Sequence, residues 1–138
     1  MEISAPELFL KYHYAEGKDL LKAFLTLQSA TLVLSITFAE KIVEFKASSG
    51  RAKNYLMTCW ISLVVSIVLS GLSICAIALA GGVSLADLYA KRTVISERVF
   101  DLAGCATVFG FLGGAVFVLA LVLMILAAKQ SMWKDDLS

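Results

Sequence analysis

The feature that most constrains this chain is where charge is absent. No residue from 54 to 86 is charged, and none from 102 to 128. A bilayer core of about 30 Å takes roughly 20 apolar residues of helix to cross. Both stretches exceed that length, and a buried helix of a water-soluble domain seldom runs so far without a charge. Composition agrees: 59% of the 138 residues are hydrophobic and 17% charged, against about 45–50% and about 25% in a typical soluble domain. The length allows one domain, 1–138. A net charge of +1 implies no bulk attraction to nucleic acid or to an acidic substrate.

A third uncharged stretch, 23–39, has 17 residues, the lower limit for a span. It is the most polar of the three, carrying Thr26, Gln28, Ser29, Thr31, Ser35 and Thr37. Lys22 can snorkel at one end, and Ile42, Val43 and Phe45 extend the apolar surface past Glu40 and Lys41. It reads as a span. A cleaved signal peptide fits poorly, because the charged stretch before it is long and mixed in sign. Neither end carries a lipidation motif.

The expected fold is therefore an all-α integral membrane protein. It has three transmembrane helices, an N-terminal amphipathic surface helix, and an amphipathic helical extension before the third span. The surface helix is expected at about 5–16, opened by the Ser4-Ala-Pro-Glu7 capping box and closed by Gly17. The first span is expected at about 19–48, with Asp19 as a cap and Ser48-Ser49-Gly50 as its stop. The second is expected at about 54–80, ended by Gly81-Gly82. An amphipathic segment at about 85–101 leads into the third span at about 102–130.

Helices in lipid associate through close backbone packing and interhelical hydrogen bonds. Ala106, Gly110 and Gly114 repeat at spacing four and form a candidate helix contact, either between subunits or within the three-helix chain. Ser62, Ser66 and Ser70 repeat at the same spacing on the second span, while Gln28, Thr31 and Ser35 share a face of the first. Such a stripe lines a water-filled path or bonds helix to helix. The Gln28 amide must face protein or water rather than lipid. Glu40, Lys41, Glu44, Lys46, Arg51 and Lys53 surround the first loop. They form a candidate charged mouth or docking platform, or simply a solvated helix end.

Little else carries chemistry. Cys59, Cys75 and Cys105 form no CxxC or cysteine–histidine cluster, and only suitable geometry would bridge Cys75 to Cys105. His13 stands alone. No charge lies deep in the second or third span, where proton relays and ion-coupled transporters need one. No phosphate loop, HExxH helix or nucleophile elbow is present. No enzyme, cofactor or metal is expected. The expected function is a non-enzymatic membrane protein that self-assembles through its helices as a channel or membrane-permeabilising effector. The alternative is an accessory or scaffold subunit of a larger membrane-associated complex. The expected partners are the lipid bilayer and either further copies or a membrane-complex partner, with no nucleic acid. Basic residues tie at six on each side of the membrane. The short, basic first loop tips the orientation toward N-terminus outside and C-terminus cytoplasmic, in the plasma (inner) membrane.

Overall fold

The computed structural model describes residues 5–41, 50–90 and 94–135, with side chains for all of these except 40, 41 and 131–135. Almost every described residue is helical. A short helix, α1 (Ala5–Leu8), runs into a π-helical turn (Phe9–Tyr14) and then into α2 (Ala15–Lys41). Two long helices follow, α3 (Gly50–Tyr89) and α4 (Glu97–Asp135). Three helical stretches are long and apolar enough to cross a membrane: Ala5–Ala39, Gly50–Tyr89 and Glu97–Gln130. At about 1.5 Å per residue, the 40 residues of α3 extend about 60 Å, twice the hydrocarbon thickness.

The distribution of side chains is the reverse of a soluble protein's. Phe111, Leu20, Ile125 and Val33 are 82%, 73%, 66% and 64% exposed, while Gln28, Ser66, Ser70 and Ser73 are fully buried. In water this would strand large apolar surfaces and waste the core. In lipid it is the expected arrangement, because tails solvate the large side chains and polar groups need protein partners.

Contacts divide the chain into two units, one built from 1–25 and 69–112, the other from 26–68 and 113–138. Each takes part of α2, of α3 and of α4. In the first, Ala76, Ile77 and Ala106 form the core, with Tyr14, Leu21 and Ala103 packed against it. In the second, Ala39, Leu56 and Ala127 form the core, with Tyr55 and Trp60 against it.

Three boundaries differ from the sequence expectation. Gly17 does not separate a surface helix from the first span. Leu8 and Ala15, on either side of the π turn, are both right-handed helical, and α2 runs through Gly17. Asp19 accordingly lies inside α2 and caps nothing. Gly81-Gly82 does not end the second long helix, since α3 continues to Tyr89. A glycine costs a helix only about 1 kcal/mol relative to alanine, and a backbone group released in lipid finds no water. Gly81 also has a packing use. A Cβ there would lie 2.5 Å from Cε2 of Tyr14, so the ring occupies the space that any side chain would need. Finally, the segment expected at 85–101 is not one helix. Its first part closes α3, where the Ala90 amide donates to Ala86 O at 3.0 Å, and α4 starts at Glu97.

Asp87 holds that junction. Its carboxylate is 6% exposed, and its Oδ2 accepts the Ser96 amide at 3.1 Å. Ser96 sits immediately before α4, and its carbonyl accepts the Val99 amide at 3.0 Å. The bond satisfies a donor that no helix would otherwise pair. Asp87→Ala is expected to cost about 1.5–3 kcal/mol. Amide hydrogen exchange checks this directly, since protection at Ser96 should fall sharply while protection deep in α3 persists.

Candidate functional site

Gln28, Ser35, Ser66, Ser70, Ser73, Ser84 and Asp87 are buried, and those at 66, 73 and 87 of α3 follow a seven-residue repeat. Ala52, Cys59, Ser66, Ser73, Ala80 and Asp87, every seventh residue of α3, are each 0–6% exposed. Val99, Ala106, Gly113, Ala120 and Ala127 are the corresponding buried positions of α4. An ideal helix drifts about 20° per seven residues, so a strict repeat of seven keeps one seam against a neighbouring helix. The residues on this seam are small, which lets two backbones approach closely.

Close approach makes side-chain-to-backbone bonds possible, and they follow the same repeat. In the second unit, Ser66 Oγ donates to Gly113 O at 2.6 Å, and Cys59 Sγ donates to Ala120 O at 3.2 Å. In the first unit, Ser73 Oγ donates to Ala106 O at 2.5 Å. Within the second unit the donors rise by seven on α3 while the acceptors fall by seven on α4, as antiparallel helices require.

Gln28 adds α2 to this arrangement. Its Nε2 donates to Ser66 Oγ at 2.7 Å, and the Ser66 hydroxyl donates to Gly113 O. One hydroxyl thus joins three helices in a directional chain, buried throughout. Seven residues on, Trp60 Nε1 donates to Ser35 Oγ at 3.1 Å, and Ser35 donates to Leu32 O at 2.7 Å. Gln28 Oε1, Ser70 Oγ and Ser84 Oγ are buried without a partner among the described residues.

The remaining candidates fall into place around this chain of bonds. Thr31 is half-buried and donates to its own backbone at Leu27 O, 2.8 Å away. Ser62 is half-buried and Ser70 fully buried. Ala106 belongs to the first unit's core. A Cβ on Gly110 would lie 3.2 Å from Ser73 Oγ and 3.5 Å from Leu21 Cδ2, so Gly110 faces its own chain. Gly114 is half-buried. Of the charged platform, Arg51 is exposed and Lys53 half-buried on the first turns of α3. Glu44 and Lys46, with the side chains of Glu40 and Lys41, lie outside the described residues.

Cys59, Cys75 and Cys105 are free thiols, the first buried and the others exposed. Among the described residues no group of three or more His, Cys, Asp or Glu could hold a metal ion. The missed signal was the repeat of seven. Spacing four picked out Ser62, Ser66 and Ser70, whereas Cys59, Ser66 and Ser73 form the donor series. Both patterns share Ser66, and an all-positions scan for small residues at spacing seven would have separated them. Comparison with known proteins finds no family model, no curated protein and no solved structure that matches this chain.

Proposed function

We propose that this is a non-enzymatic membrane protein that assembles from several copies, with α2 turned toward the shared axis, and forms a conductive or membrane-permeabilising path. The observation that carries this reading is how the three helices are covered. Within the apolar stretch of each, 33% is buried for the helix at Gly50–Tyr89 and 22% for that at Glu97–Gln130, but only 11% for Ala5–Ala39. The least apolar helix is thus the one its own chain covers least. Its outward surface carries Thr26, Ser29, Ala30 and Thr37, small residues that allow a second helix to approach closely. Ser66 and Ser73 are fully buried, whereas Thr26, Ser29 and Thr37 are exposed, so the two serines are poor candidates for lining water. Thr26, Ser29 and Thr37 are the better ones. A closed symmetric ring is the usual way for a small chain to assemble. The plasma (inner) membrane, with N-terminus outside, remains the proposed setting.

Native mass spectrometry of the detergent-purified protein tests assembly, and cysteine scanning tests the path. A closed ring of several copies is expected, with Thr26→Cys, Ser29→Cys and Thr37→Cys reacting with aqueous thiol reagents in membranes. Ser66→Cys and Ser70→Cys should stay unreactive. A monomer would overturn this reading and leave an accessory subunit that offers α2 to a different membrane protein. A ring whose α2 cysteines stay silent would overturn the path.

A further inference from the structure

The π-helical turn at Phe9–Tyr14 stands where the buried repeat of the first helical stretch changes. From Tyr14 onward the inward positions are Tyr14, Leu21, Gln28 and Ser35, each seven apart. One further step of seven back from Tyr14 arrives at Glu7. Glu7 is exposed, and the fully buried residue is Pro6, eight positions before Tyr14. A π turn closes its hydrogen bonds over five residues instead of four and so takes up one extra residue.

The neighbouring helix shows what the extra residue avoids. Within the first unit, Tyr14 lies against Gly81, and Tyr14 and Leu21 both pack on the cluster of Ala76, Ile77 and Ala106. In the second unit Gln28 bonds Ser66 and Ser35 bonds Trp60, so numbers rise on α2 as they fall on α3 and the two helices run antiparallel. One step of seven beyond Gly81 is Leu88, which is exposed and next in sequence to the buried Asp87. An uninterrupted α-helix would therefore put the Glu7 carboxylate, in place of the buried Pro6, on the side of Asp87. Like charges brought together away from water repel strongly. Glu7, Lys11, Tyr12 and His13 are all exposed with the turn in place, and Lys11 covers the Tyr12 ring at 5.6 Å.

We infer that the π turn is a register device: it inserts one residue into the seven-residue repeat, so that Pro6 and not Glu7 enters the seam ahead of Tyr14. The device is independent of how the protein assembles. It predicts that the turn can lose a residue where α2 cannot. Deleting Lys11 would convert the turn to ordinary α-helix and leave Pro6 seven positions before Tyr14, still on the seam. Deleting Ala23, which is exposed but lies between Tyr14 and Gln28, would pull Tyr14 off Gly81.

The test combines thermal unfolding with thiol labelling in detergent, on the full chain carrying Cys75→Ala and Cys105→Ala. The midpoint of the Lys11 deletion should stay within a few degrees of its parent, and that of the Ala23 deletion should drop well below it. At full length, Glu7→Cys should label about ten times faster than Pro6→Cys, or more. Pro6→Cys should remain protected in the Lys11 deletion. The inference is overturned if the Lys11 deletion is as damaging as the Ala23 deletion, if it exposes Pro6→Cys, or if Glu7→Cys is the protected position at full length.

Discussion

Ser66→Ala is expected to lower stability by about 1–3 kcal/mol, above the roughly 0.6 kcal/mol average of a single interhelical hydrogen bond in a membrane protein. The hydroxyl accepts from Gln28 and donates to Gly113 O at the same time. Removing it leaves the whole Gln28 amide unpaired, because Gln28 Oε1 already lacks a partner among the described residues. The large term is that stranded amide, not the lost bond. Gln28→Leu placed on top of Ser66→Ala should therefore return most of the loss, since two apolar groups of similar size replace the polar pair. Reversible unfolding in mixed micelles, measured on both single variants and the double variant, gives the coupling between the two positions. Strictly additive effects would show that the two side chains do not act together.

Gly81→Ala and Gly82→Ala are expected to have opposite signs although the residues are adjacent. At Gly81 the new methyl would meet the Tyr14 ring at 2.5–2.9 Å, and the ring would have to leave its place on α3. Overpacking of this kind costs about 1–3 kcal/mol. The Lys18 ammonium, 5.2 Å from the same ring, would lose its contact as well. At Gly82 nothing lies within 4 Å of the new methyl, so only helix propensity acts, and alanine gains about 0.5–1 kcal/mol. Thermal unfolding of the two variants should bracket the parent. Tyr14→Ala should abolish the Gly81→Ala penalty, because the obstructing ring is then gone. A stabilising Gly81→Ala with Tyr14 intact would contradict the packing described for the first unit.

The two glycines show why the end of α3 is not legible in the sequence. A pair of glycines is a strong breaker signal when the helix stands alone in water. In this protein the first glycine provides clearance for an aromatic ring on another helix, some 67 positions earlier in the chain (81 − 14). Nothing local to Gly81 announces Tyr14. Asp87 behaves alike. Beside Ser84 it resembles the start of a helix, yet it lies at the end of α3 and pairs with Ser96 across the turn.

By itself the sequence determined which stretches are apolar enough to face lipid. Two stretches free of charge, 54–86 and 102–128, are long and apolar enough to cross a membrane, and a single such stretch can pair all its backbone groups within itself only as a helix. Three apolar helices therefore followed from the order of residues alone. It also determined that Gln28 would need a polar partner, since the requirement belongs to the amide and not to its surroundings. Only the tertiary structure decided which partner, and which face of each helix turns inward. Lipid solvates an apolar face as well as another helix does, so hydrophobicity gives no direction within a span. Direction came from close packing at Cys59, Ser66 and Ser73, where each small donor reaches a carbonyl on α4. That choice depends on both helices at once, and neither one encodes it alone.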